Sequence, residues 1–122
     1  MPKSQILDLK ETQMKYKIKA IIKRPDEEIG HMTNISPSLE NLQKTVGGYI
    51  ETVPITEKVM LLCDEEGKLK NREPNIWIGQ ELIVGTVIIL GVKGEEFDDI
   101  PINFQTWKEL MKKGIIRRAI TS

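Results

Sequence analysis

Apolar and polar positions alternate from Lys15 to Lys23. Tyr16, Ile18, Ala20 and Ile22 fall on one face, and Lys15, Lys17, Lys19, Ile21 and Lys23 on the other. A period of two predicts a half-buried strand with a solvated lysine face, and lysine there discourages edge pairing. Arg24-Pro25-Asp26-Glu27-Glu28 reads as a turn, and Ile29 to Ile35 as a second strand, short and polar. The period then changes. Leu39, Leu42 and Val46 recur at helical spacing and predict a buried stripe on a helix over about 37–46. Ser36 caps its free amides, and Pro37 suits the first helical position, where no hydrogen bond is lost. Glu40 and Lys44 stand on its wet side. Gly47 supplies the left-handed residue that stops the helix, and Gly48 lets the chain reverse into a strand from Tyr49 to Val53. Pro54 cannot donate to a ladder, so that strand ends there or lies at an edge.

The second half is more apolar. Val59, Met60, Leu61 and Leu62 predict a strand buried on both faces, from Lys58 to Cys63, reached by a hairpin through Ile55-Thr56-Glu57. Asp64-Glu65-Glu66-Gly67 reads as a turn with Gly67 at positive φ. Lys68 to Gln80 shows no clean period and predicts a long ordered loop. Glu81 to Gly91 predicts one long strand, with Gly85 marking a bulge or a close backbone approach. Lys93 to Asp99 reads as an acidic loop around Phe97. Asn103 caps a last helix over about 104–113, with Ile102 stapled onto Trp107. Phe104, Trp107, Leu110 and Met111 form its buried stripe, and Gly114 ends it. Ile115 to Ser122 is left as a tail. Met1 to Met14 is a polar extension that either docks as a short helix or stays disordered. The expected fold is α+β, a single domain over 15–122 with a mostly antiparallel sheet packed by a central and a C-terminal helix.

Composition narrows the function classes. The 122 residues carry eighteen basic and eighteen acidic side chains, and such a balance argues against non-specific nucleic-acid binding. One cysteine, Cys63, excludes an internal disulfide and a zinc site of paired cysteines. No apolar run is long enough for a signal peptide or a membrane-spanning helix. The expectation is a cytoplasmic protein without membrane contact.

One series of motifs carries a family resemblance. Val46-Gly47-Gly48-Tyr49-Ile50-Glu51 is followed by Leu61-Leu62-Cys63, Asp64-Glu65-Glu66-Gly67-Lys68, Pro74-Asn75, Ile83-Val84-Gly85-Thr86 and Gly91. In this order, over roughly Tyr16 to Phe97, they resemble the domain of unknown function 3846 family, small proteins of phages, prophages, plasmids and their bacterial hosts. Two positions depart from the family pattern, Asp64 where asparagine is usual and Ile76 where a polar or basic residue is usual. The resemblance implies a mobile-element accessory protein and supplies no catalytic residues.

The chemistry in the chain points the same way. Gly47-Gly48 lacks the Lys-Ser/Thr ending of a phosphate loop. Asp64-Glu65-Glu66-Gly67 lacks the alternating ligands of a calcium hand. No serine sits in a nucleophile elbow, and the lone His31 offers Cys63 no evident base. Glu51, the set Asp64, Glu65 and Glu66, and the set Glu95, Glu96, Asp98 and Asp99 are more readily solvated carboxylates than a magnesium site. The candidate binding surface combines Tyr49 and Trp77, with flat aromatic faces, and Glu51, Arg72 and Asn75, with polar contacts.

These observations predict a non-enzymatic binding protein with no cofactor and no metal. It would sequester or block a host component, such as a defence factor or a nucleotide-like small molecule. The alternative is a protein–protein interaction module or inhibitor, and a metal-dependent enzyme is the third reading. Self-association into a homo-oligomer is expected as well, because at least one sheet edge must lie open.

Overall fold

The computed structural model describes residues 16–119. The expected extension Met1–Met14 and the end of the C-terminal tail lie outside the described residues. The elements are β1 (Ile18–Lys23), β2 (His31–Ile35), α1 (Leu39–Val46), β3 (Ile50–Pro54), β4 (Val59–Asp64), β5 (Pro74–Ile78), β6 (Glu81–Val84), β7 (Val87–Lys93), β8 (Glu96–Asp98), α2 (Phe104–Lys112) and β9 (Ile116–Arg118). The fold is α+β, and every strand pair among the described residues is antiparallel.

Two sheets form. The larger has the order β2-β1-β7-β4-β3, with β8 pairing the far end of β7; the smaller has the order β6-β5-β9. The alternation along the central strands explains the layering. Ile21, Leu61, Cys63, Val87 and Ile89 face the smaller sheet and α2, and meet Ile76, Ile83, Trp107 and Ile116 there. Ala20, Ile22, Leu62, Ile88 and Leu90 face the other way and are closed by Leu42 and Val46 of α1. The larger sheet is thus buried on both faces, and so β4 and β7 read as continuous apolar runs. Trp107 is fully buried, and its Nε1 donates to the carbonyl of Ile29 at 2.9 Å, fixing α2 over the β1–β2 turn.

Several expectations need correction. The lysine face of β1 is not solvated throughout, because Ile21 and Lys23 are fully buried under the second sheet. The helix starts two residues later than expected. Ser38, not Ser36, is the N-cap, and its hydroxyl accepts from the Asn41 amide. Leu39 therefore turns outward and is 61% exposed. The loop over 68–80 ends at Glu73, and Pro74 opens β5, the central strand of the smaller sheet. The run Glu81–Gly91 is two strands, not one. At Gly85, with φ +78, the chain leaves β6 and enters β7 in the other sheet. The acidic loop contains β8, and the tail contains β9. On α2 only Trp107 is fully buried; the rest of its stripe is half-buried.

Pro54 lies on an edge strand, as expected. The Ile55 amide and the Tyr49 carbonyl both bond across to β4 and its continuation. By alternation the N–H position of residue 54 faces the open edge, where a missing donor leaves no ladder bond unmade. Among the described residues no helix is long and apolar enough to cross a membrane.

Candidate functional site

Asp64 ends β4, a strand buried on both faces, so its carboxylate starts inside the protein. Its side chain is fully buried, and three donors meet it. Lys70 Nζ lies 2.8 Å and Arg72 Nε 2.9 Å from Oδ2, while the Glu66 amide donates to Oδ1 at 2.9 Å. Burial alone would raise the carboxyl's pKa, but the bonds from Lys70, the Glu66 amide and Arg72 outweigh it and hold it below the usual carboxylate range.

The same two cations reach back to the end of α1. Lys70 Nζ donates to the Gly47 carbonyl at 3.2 Å and Arg72 Nη2 at 3.0 Å. They satisfy an oxygen that the helix end leaves without an intrahelical partner. Gly47 has φ +87 and caps the helix, its amide donating to Gln43. A Cβ there would also lie 2.7 Å from Arg72 Nη2. At Gly48 a Cβ would meet Asp64 Oδ1 at 2.6 Å and Lys70 Nζ at 2.7 Å. The double glycine is both a helix stop and the space into which the ionic brace packs. Gly85 completes it, because a Cβ there would lie 2.8 Å from Cδ of Arg72. Gly67 does not have the positive φ expected of it. It is small because Val84 Cγ2 would lie 2.9 Å from a Cβ. Asn71 takes the left-handed conformation instead, with φ 57.

A second buried polar group joins the two sheets. Asn75 accepts from Lys23 Nζ at 2.6 Å, and its own amide donates to the carbonyls of Lys23 at 2.8 Å and Gly85 at 2.7 Å. Both side chains are fully buried. Burial first, and then the positive charge of Arg118, push the Lys23 ammonium down to about 8.

The five residues expected to bind ligand are dispersed. Asn75 is sealed in the pin with Lys23. Arg72 is engaged in the brace. Trp77 lies half-buried on β5, aligned with Leu82 and Arg117, and the Arg117 guanidinium stands 5.7 Å from its ring. Glu51 is exposed beside Leu69 in a cavity of about 270 Å³ that Cys63 and Glu81 also line. Tyr49 is 69% exposed and lines an open cavity of about 390 Å³ with Lys44, Gly48, Glu66 and Lys70. Neither cavity brings Tyr49 together with Trp77.

The motif stretches Val46–Glu51, Asp64–Lys68, Pro74-Asn75 and Ile83–Thr86 therefore each contribute to the brace or to the Lys23–Asn75 pair, while Leu61-Leu62-Cys63 belongs to the apolar core. A family model, the domain of unknown function DUF3846, matches residues 18–112. The chain belongs to this family. The match runs past the expected limit at Phe97 and takes in the whole of α2. No curated protein and no solved structure matches the chain. In this DUF3846 member Gly47, Gly48, Asp64, Asn75 and Gly85 of the motifs are built into the brace and its neighbour, and Tyr49 is the exposed aromatic ring among the motif residues.

Sequence reasoning missed Lys70 and the buried state of Asp64. The available signal was a carboxylate at the end of a doubly buried strand, with three cations, Lys68, Lys70 and Arg72, within the next eight positions. It also missed a cavity of about 930 Å³ between α2 and the β1–β2 turn. Ile29 and Met111 line it together with Lys108, Lys112, Lys113 and Arg118. Burial pushes the Cys63 thiol up to about 12, so it carries no thiolate near neutrality. Among the described residues no three His, Cys, Asp or Glu side chains group as metal ligands would.

Proposed function

We propose that this DUF3846 protein is a non-enzymatic binding protein of a mobile element that blocks a host protein through the surface around Tyr49. The observation that carries this is the Tyr49 ring, 69% exposed beside a double-glycine joint that is tied by an ionic brace to the buried Asp64 carboxylate. Rigid, exposed aromatic rings are frequent anchors of protein interfaces. The protein-interaction reading is favoured over the small-molecule one because Arg72 and Asn75 already have their polar groups engaged inside the fold. The phage or plasmid setting rests on the family resemblance.

The test is capture from lysate of a bacterial host, comparing the tagged parent protein with Tyr49→Ala and with Trp77→Ala. The expected result is a host protein retained by the parent and by Trp77→Ala and lost with Tyr49→Ala, whose melting temperature is unchanged. Equal capture by Tyr49→Ala would overturn the proposal. So would turnover of a nucleotide or nucleic acid by the purified protein.

A further inference from the structure

We propose that two copies of this chain associate through the open edge of β2, joining their larger sheets into one continuous sheet across a two-fold axis. Tyr49 and its surroundings take no part in this contact, so the inference is independent of the proposed function.

The backbone directions define the edge. Lys19 donates its N–H to Asp99 and accepts at its carbonyl from Ile100, both on the β7–β8 side of β1. By alternation Ile18, Ala20 and Ile22 turn their backbone groups toward β2, where their partners are Ile35, Thr33 and His31. Met32 and Asn34 are left with their N–H and C=O groups pointing outward, and among the described residues β2 is the last strand of the sheet.

Charge selects this edge over the others, and a second copy as its occupant. Natural sheets protect open edges with charged residues or proline. β3 carries Glu51 and Pro54, β6 carries Glu81, β8 carries Glu96 and Asp98, and β9 carries Arg117 and Arg118. β2 reads His-Met-Thr-Asn-Ile and carries neither a proline nor a fixed charge. Two-fold pairing at β9, centred on Arg117, would bring like charges together, which destabilises a ladder. At β2 it places Thr33 opposite Thr33 and Met32 opposite Asn34, and each Met32–Asn34 pair can exchange its N–H and C=O bonds. A pair of five-residue strands buries less than the roughly 1,000 Å² of a stable interface, so the dimer is weak and depends on concentration.

Sedimentation of the full chain over rising concentration tests this, together with amide hydrogen exchange read by NMR. The expected mass climbs from 14.0 kDa toward twice that value. Exchange at Met32 and Asn34 slows in step with it, while Thr52 on the open edge of β3 stays fast. Asn34→Pro removes a donor that the monomer does not use, and should stay at the monomer mass with the melting temperature of the dilute parent. Three results would each overturn the proposal: a constant monomer mass, protection of Met32 and Asn34 that does not vary with concentration, or association of Asn34→Pro equal to the parent.

Discussion

Arg72 and Gly47 sit against each other, with the guanidinium Nη2 3.0 Å from the glycine carbonyl oxygen. Arg72 Nε meanwhile holds the buried carboxylate of Asp64 at 2.9 Å. One side chain thus ties the end of α1 to the end of β4, through a gap that only glycine leaves open.

Substituting either glycine should lower stability. For Gly47→Ala the left-handed φ costs on the order of 1–2 kcal/mol, and Gly47→Val should cost more because a β-branched side chain crowds the backbone further. Gly48→Ala is opposed by the buried Asp64 carboxylate instead, which cannot move without losing its donors. Urea denaturation of the three variants checks this.

Asp64 should govern part of the acid limb of stability. Its folded pKa lies below the ordinary 3.8, so its contribution is present above that value and is lost as the pH falls further. Asp64→Asn should cost about 1–3 kcal/mol near neutrality, discounted for the part-exposed Lys70 and Arg72. Its stability should then fall less than the parent's between neutrality and acid pH. Glu27, also held low, should leave the variant a residual slope. Denaturation at neutral and at acid pH measures both effects.

Lys23 acts at the other end of the scale. The unfolded side chain keeps its proton up to about 10.5, whereas the folded one loses it from about 8. Between these values the unfolded state binds more protons, so stability from this group rises with pH. Cys63 opposes the rise above its ordinary 9.0, because its folded thiol titrates only near 12. The parent should therefore gain stability as the pH rises from about 8 to 9, and Lys23→Met should remove that gain. Urea midpoints at the two pH values report it. Asn75→Ala, which removes the shortest partner of Lys23 Nζ and the amide that donates to the Lys23 and Gly85 carbonyls, should be among the most destabilising single changes.

Tyr49→Ala should leave stability within about 0.5 kcal/mol of the parent, because the ring touches solvent and not the core. Trp77→Ala should cost more, through the half-buried ring and its contact with Arg117. Melting curves of the two variants separate a display role from a packing role.

Periodicity made the strands and both helices legible where burial was one-sided or total. Leu42 and Val46 marked the inner face of α1, and the run Val59–Leu62 marked β4. It did not reveal the second sheet. Ile83 and Val84 look like a continuation of Val87 and Ile88, and only Gly85 records that the chain changes sheets between them. Nor does Trp77-Ile78 read as strand, since its partners on β9 lie some forty positions away. Lys23 reads as a wet-face residue because alternation reports which face a residue is on, and not what a later segment lays over that face. The site was legible in part for a similar reason. Tyr49 and Arg72 stood out by residue type, but their separation into display and brace depends on Asp64, whose burial is set by both sheet faces at once.

Gly47, Asp64, Lys70 and Arg72 form a coupled ionic brace that ties α1 to β4. A double-mutant cycle on Asp64→Asn and Arg72→Met measures it most directly, by urea denaturation of the parent, the two single variants and the double variant. The brace predicts a coupling energy of about 1–2 kcal/mol, the double variant losing less than the two single losses combined. Single losses that add to within about 0.3 kcal/mol would contradict it, and would mean that Arg72 and Asp64 act separately despite their contact.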